Sequence, residues 1–284
     1  MNDLLDSTRA ELLRLRKWPA VWVTIGAWAA MSLMFGYLFN YLAYKTGDLS
    51  FSGDGQTRSE LLLELLPGSI PDVLVQGMPM FGGALAMVLG AIVAGNGYGW
   101  GTWKTLFTQG PSRTSSVAGS MLALIVIVVG VVAMTLVLMT GVSLVIASAE
   151  SQPMDWPSVG ALAESAAGGL LVLEMWALMG YALGTLARGP ALAVGLGLVW
   201  ALVVENLLRG VGALLGPIET ATHVLPGTAG GSLIGALLDV GANPNQTPGV
   251  LDTVAGGQAL LTVLVYAVTL PAIVVLLVRR RDVT

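Results

Sequence analysis

Few side chains in this sequence can do chemistry, and two of them sit where charge is expensive. Glu174 and Glu205 fall inside long apolar runs. A charged group at the centre of a membrane helix costs about 2.5–3.5 kcal/mol on insertion scales, so it normally faces a partner or an aqueous cavity. Glu205 has a candidate partner in Arg209, one helical turn on, the spacing of an i,i+4 pair. It reads as an ion pair snorkelling to an outer interface, or as part of a substrate route. Glu174 has no local partner, and three readings stay open: a neutral carboxyl, a bond to a neighbouring segment, or a place on a substrate route. Met78, Met80, Met87 and Phe81 form a soft stretch that can adapt to apolar ligands or simply pack a helix.

Other chemistry is excluded. There are no cysteines, which removes disulfides, thiolate metal sites and thiol nucleophiles. His223 is the one histidine and has no second histidine or spaced carboxylate to share a metal with. Asn245, Gln246 and Thr247 match a glycosylation sequon but precede Pro248, and chance explains the match. No GxxxxGK[ST] segment occurs, so the chain has no phosphate-binding loop of its own.

The elements that hold these residues come from composition. The chain has 284 residues, 55% hydrophobic and 11% charged, with a mean hydropathy of +0.79. Soluble domains carry about 25% charged residues, so this chain cannot solvate a globular surface of its size. The net charge of -4 argues against nucleic acid as a partner. A bilayer core needs about 20 apolar residues per helix. Six stretches qualify, at about 18–44, 73–95, 117–148, 165–187, 190–208 and 254–278. The alternating segments of about 10 residues that a β-barrel needs are absent. The expected fold is therefore an all-α polytopic membrane protein with six transmembrane helices.

Sidedness comes from the bases. With the N-terminus inside, ten of 13 lie on inner segments, from Arg9 to Arg281, and Lys45, Arg58 and Arg209 lie outside. The positive-inside rule then puts both termini in the cytoplasm. The first apolar run is too long for a cleaved signal core. Residues 1–17 predict an amphipathic interfacial helix, with Leu4, Leu5, Leu12 and Leu15 on one face and Asp6, Ser7, Arg14 and Lys17 on the other. Its Arg and Lys would face lipid phosphates; a frayed polar tail is the alternative. Outside, residues 45–72 are acidic and predict a helix over Ser59–Leu66. Residues 210–252 hold apolar patches too short to span, which suit extracellular re-entrant or surface helices before span six.

The loop 96–116 is rich in glycine, yet a membrane span rather than a strand precedes it, so it is not a dinucleotide-binding turn. Thr102–Gln109 predicts a two-turn helix closed by Gly110 and Pro111. Gly101, Thr102, Lys104, Leu106, Pro111, Ser112 and Arg113 resemble the Gly-Thr-x-Lys…Pro-x-Ser-Arg signature between spans two and three of type-2 ATP-binding-cassette (ABC) permeases. The usual acidic-aromatic pair ahead of Gly-Thr is replaced by Asn96, Gly97 and Tyr98. The basic amphipathic start, Leu225-Pro226-Gly227 in the last outer loop and the basic terminus Arg279–Asp282 extend the resemblance along the chain.

That resemblance implies that the loop is a cytoplasmic coupling helix docking on a separate ABC ATP-binding subunit, with Gly101, Thr102, Lys104, Leu106, Pro111 and Arg113 at the interface. It also implies a second permease copy, as a homodimer or a heterodimer, in the lipid bilayer of the plasma membrane. Spans one, two and five would border the path, making Phe35, Met80, Met87 and Glu205 substrate-path candidates, with Glu174 of span four as a further one if its carboxyl lines the route. No cofactor is expected in this chain; ATP and Mg belong to the partner ATPase. The chain itself would be a permease subunit of an exporter and no enzyme. Two rivals remain: a secondary transporter driven by an ion gradient, which predicts related halves that residues 18–149 and 165–278 do not show, and an intramembrane enzyme, for which no catalytic constellation is present.

Overall fold

The computed structural model describes residues 2–48, 57–109, 112–212, 214–239 and 247–280. Pro111, Asn245, Gln246, Arg281 and Asp282 lie outside the described residues. Among those described there is no strand. In chain order the helices are α1 (Asn2–Lys17), α2 (Pro19–Thr46), α3 (Arg58–Glu64), α4 (Ile70–Gln76), α5 (Met78–Gly99), α6 (Thr102–Gln109), α7 (Arg113–Ala149), α8 (Val159–Ala187), α9 (Pro190–Gly212), α10 (Gly216–Thr222), α11 (Pro226–Leu237) and α12 (Gly256–Arg280). Six of them, α2, α5, α7, α8, α9 and α12, are long and apolar enough to cross a bilayer.

The boundaries differ from expectation where backbone chemistry intervenes. The second apolar run does not begin a single helix at residue 73. α4 ends at Gln76 and α5 starts on a wide π turn, in which the Gly82 N–H reaches back five residues to the Gly77 carbonyl at 3.0 Å. Pro79 lies in this turn and has no N–H to donate, so the regular ladder cannot run through it. α8 begins at Val159 rather than 165, because Ser158 caps it by accepting from the Ala161 N–H at 3.0 Å. Such a cap satisfies one of the free donors at a helix start.

The centre of the molecule is α5 against α8. They run parallel: Met78 lies by Gly169, Gly83 by Trp176, Gly90 by Ala177 and Tyr181, and Gly184 by Ala91 and Gly95. A Cβ on Gly90 would overlap the Ala177 carbonyl oxygen, and one on Gly180 would overlap the Met87 carbonyl oxygen. Only glycine allows such contact. Lipid offers no hydrophobic force between helices, so close backbone packing through small residues supplies the attraction.

The other long helices surround this pair. α2 runs antiparallel to the α4–α5 segment, with Trp28 against Gly82 of α5 and Gly36 against Val73 of α4. It runs parallel to α7, through a Trp28 to Thr135 hydrogen bond of 2.9 Å and contacts of Glu150 with Tyr41 and Lys45. α9 descends antiparallel to α5, with Pro190 by Gly95 and Gly197 by Met87. The exposed faces of α2, α7, α9 and α12 carry Val, Leu, Met and Trp, as faces turned to hydrocarbon should.

α1 is a helix as expected, but its orientation differs. Ser7 packs on Gly119 of α7, Glu11 accepts from Ser120 at 3.1 Å and pairs with Arg14, and Leu15 is buried. Leu5 and Leu13 are exposed. Arg14 therefore turns inward, reaching the Val93 carbonyl at 3.4 Å, because Gly119 lets the polar edge of α1 come close enough to be satisfied by protein.

These contacts make two outcomes measurable. Gly90→Ala or Gly180→Ala should force α5 and α8 apart and cost about 1–3 kcal/mol, read as a lower melting temperature in detergent, whereas Gly26→Ala, with open space around it, should not. At the far end of α7, Glu150 pairs with Lys45 at 2.6 Å and accepts from Tyr41 at 2.8 Å. The Lys45 bond first, and the Tyr41 bond next, hold its carboxyl below the ordinary 4.5. A lowered folded value gives stability that is present above the unfolded value and lost as pH falls through the folded one. The melting-temperature gap between wild type and Glu150→Gln should be full above pH 4.5 and close as the pH drops below it.

Candidate functional site

Two places in the fold gather polar and aromatic side chains, one at each end of α5. The first is the α6 loop. α5 ends at Gly99, and Gly101 adopts φ +67, a left-handed conformation that favours glycine. The chain thereby reverses and α6 begins at once, with the Thr105 N–H bonded to the Gly101 carbonyl at 3.3 Å. Trp103 is buried against Gly97, and its indole N–H donates to the Ala94 carbonyl at 3.3 Å. Trp100 meets Trp18 edge-on at 5.7 Å, and the Arg14 guanidinium lies 5.5 Å above the Trp18 ring. Aromatic contact and cation–π attraction thus join α6, the end of α5, the start of α2 and α1. Thr102 and Lys104 are exposed on the outer side of α6, Leu106 is half-buried, and Arg113 is exposed in the first turn of α7. Ser112 caps α7 by accepting from the Ser115 N–H at 3.1 Å.

The second place lies where α9, α11 and the start of α5 meet. Glu205 is 0% exposed. One carboxylate oxygen accepts from the Trp200 indole at 2.8 Å, and the other accepts from the Gly227 backbone N–H at 2.8 Å. It therefore caps the first turn of α11 from 22 positions away. Arg209 stands 3.7 Å from Glu205, donates to Asn206 Oδ1 at 2.7 Å and reaches Thr228 at 3.4 Å. This corrects the snorkelling pair read from spacing: the pair exists, but its acid is fully enclosed, because α11 inserts among the long helices with Pro226 and most of its length buried. Among its described residues the segment 210–252 holds two short helices, α10 and α11, of which α11 is packed inside rather than laid on the surface.

The expected path residues do not form one site. Met80 and Glu205 share the α9–α11 neighbourhood through Arg209 and Gly227. Met87 is buried in the α5–α8–α9 contact. Phe35 is exposed on α2 and stacks on Phe81 at 6.0 Å. Glu174 is 8% exposed, and neither of its oxygens has a hydrogen-bond partner. Sequence reasoning misses Trp103, Trp176, Trp200 and Asn206. Tryptophans beside carboxylates or glycines are the available signal, since a buried indole N–H wants an acceptor. Among the described residues no group of His, Asp or Glu could hold a metal.

Helix content and the six apolar helices define the class, a multi-pass membrane protein. No family model matches the chain, and no curated protein matches its sequence.

The two buried acids should respond oppositely to substitution. Glu205→Ala would strip the Trp200 and Gly227 donors of their acceptor and leave Arg209 without its counter-charge, a loss of about 3–5 kcal/mol visible as a large drop in melting temperature. Glu174→Gln removes no bond and should leave the melting temperature equal or higher.

Proposed function

We propose that this chain is the permease subunit of an ATP-driven ABC exporter in the plasma membrane, with both termini in the cytoplasm. The observation that carries the reading is α6. It is a short helix with an exposed Thr102 and Lys104, held to α5 by Trp103, and the end of α5 that it follows is tied to α1 and the start of α2 by the Trp100–Trp18–Arg14 stack. A partner pressing on α6 would move α5 directly, since the indole leaves no slack between them. The basic loop supplies the sidedness.

In this reading a separate ATPase binds ATP and Mg and docks on Thr102, Lys104, Leu106 and Arg113. Two permease copies and two ATPase copies complete the transporter, and closure of the ATPases tilts the spans so that substrate moves from the cytoplasm or the inner leaflet outward. Met80 and the α9–α11 cluster would border the outer part of the path. The second reading, a secondary transporter, draws on Glu174, whose unpartnered carboxyl could take up a coupling ion.

The decisive measurement is co-purification of an ATPase with the chain. Wild type should bring it down, Lys104→Glu with Arg113→Glu should lose it, and Trp103→Ala should keep the partner while uncoupling its ATP hydrolysis from transport. Transport by wild type in vesicles without any ATPase, abolished by Glu174→Gln, would overturn the ABC reading in favour of ion coupling.

A further inference from the structure

Between the Trp18–Trp100 contact and the Trp28–Thr135 hydrogen bond, a narrow crevice separates α2 from α5, α7 and α8. Its floor is made by the buried Trp28, Ala86, Leu89, Val128 and Leu173. The half-buried Thr24 and Val131 stand at its rim, so it opens on the outside of the bundle. These residues lie well inside long apolar helices, away from their ends, which puts the crevice at hydrocarbon depth. Its two polar side chains are spent: the Thr24 hydroxyl donates to the Ala20 carbonyl at 2.9 Å, and the Trp28 indole donates to Thr135 at 2.9 Å. No side-chain donor is left for a water or a polar head, and apolar cavities of this kind stay dry. The space takes about two or three water-sized groups, far too little for another helix of about 10 Å diameter or for a fused ring system.

We propose that this crevice binds the hydrocarbon chain of a single membrane lipid, threaded between α2 and the α5–α7–α8 body. The occupant follows from size and polarity. A methylene chain is one carbon wide, needs no hydrogen bond, and is always at hand in the bilayer around the crevice. A gap left empty forfeits dispersion contacts for every atom that lines it, and a chain restores them. The head group stays outside, since the walls offer it no side-chain donor. The chain is then part of the packing that holds α2 against α5 and α7. Binding here does not require the transport reading, and either can fail without the other.

The test is photolabelling of the full chain in phosphatidylcholine nanodiscs that carry a small fraction of phosphatidylcholine with a diazirine in mid-chain, with the adducts mapped by residue. Ala86 and Leu89 are buried, and a chain that stays outside the bundle cannot label them. Label at Thr24, Ala86 and Leu89 should exceed, several-fold, the label on Leu261, Val265 and Val268, which are exposed on α12 to ordinary lipid. Ala86→Leu fills the floor and should bring the crevice label down to the α12 level while the α12 label itself stays unchanged. Thr24→Phe blocks the same space from the half-buried rim, so it carries the test if Ala86→Leu fails to fold. Crevice label no stronger than that on α12 in wild type, or label that persists in a folded blocked variant, would overturn the proposal.

Discussion

The contact of α5 with α8 is the constraint on which the rest of the molecule depends. In hydrocarbon, two apolar helices gain nothing by hiding from the solvent, and attraction must come from atoms brought close. Gly90 and Gly180 bring backbone against backbone, each opposite a carbonyl oxygen of the other helix. That approach sets the rotation of both helices. It turns Trp176 onto Gly83, sends Met87 toward α9, and holds the two ends of α5 where the α6 loop and the α9–α11 cluster are built. Both candidate sites are extensions of one helix whose position is set by glycine.

The buried polar groups show two different solutions to the same problem. Glu205 is enclosed completely, and the fold gives it two short hydrogen bonds and a cation. In return it closes the first turn of α11, which otherwise would bury free N–H groups. Arg209 stands 3.7 Å from this acid and donates to Asn206 at 2.7 Å. Glu174 has no such arrangement. The contrast is between an acid held by three partners and one held by none.

Among the described residues, wide π turns interrupt the long helices at Met34–Leu38 in α2, Met78–Gly82 in α5 and Trp200–Val204 in α9. Each adds a residue to one turn and so rotates the helix beyond it. Such bulges concentrate at functional places, and here two of them flank the α9–α11 cluster: Met80 lies inside one, and Glu205 comes immediately after another. The third holds Phe35, whose ring stacks on Phe81 from the turn in α5. The helices that the permease resemblance would place beside a path are the ones with irregular backbone.

Much of this was legible in the sequence, and for a local reason. Hydropathy over about 20 residues decides whether a segment can be a membrane helix, and that property needs no knowledge of neighbours, so the six long helices, α1, the helix after Gly101 and the short pair before α12 could be read directly. The Glu205–Arg209 pairing was legible as well, because one helical turn connects the two. The direction in which each helix faces could not be read. The inward turn of Arg14 needs Gly119 of α7, the burial of Glu205 needs the Gly227 N–H, and the orphaned Trp176 N–H needs Gly83 beneath its ring. These partners are distant in sequence and meet only when helix rotation is settled. The sequence by itself determined the elements and their order; the tertiary structure alone decided which polar groups meet and which stay unpaired, because close backbone contact, rather than local composition, sets the rotation of a helix among helices.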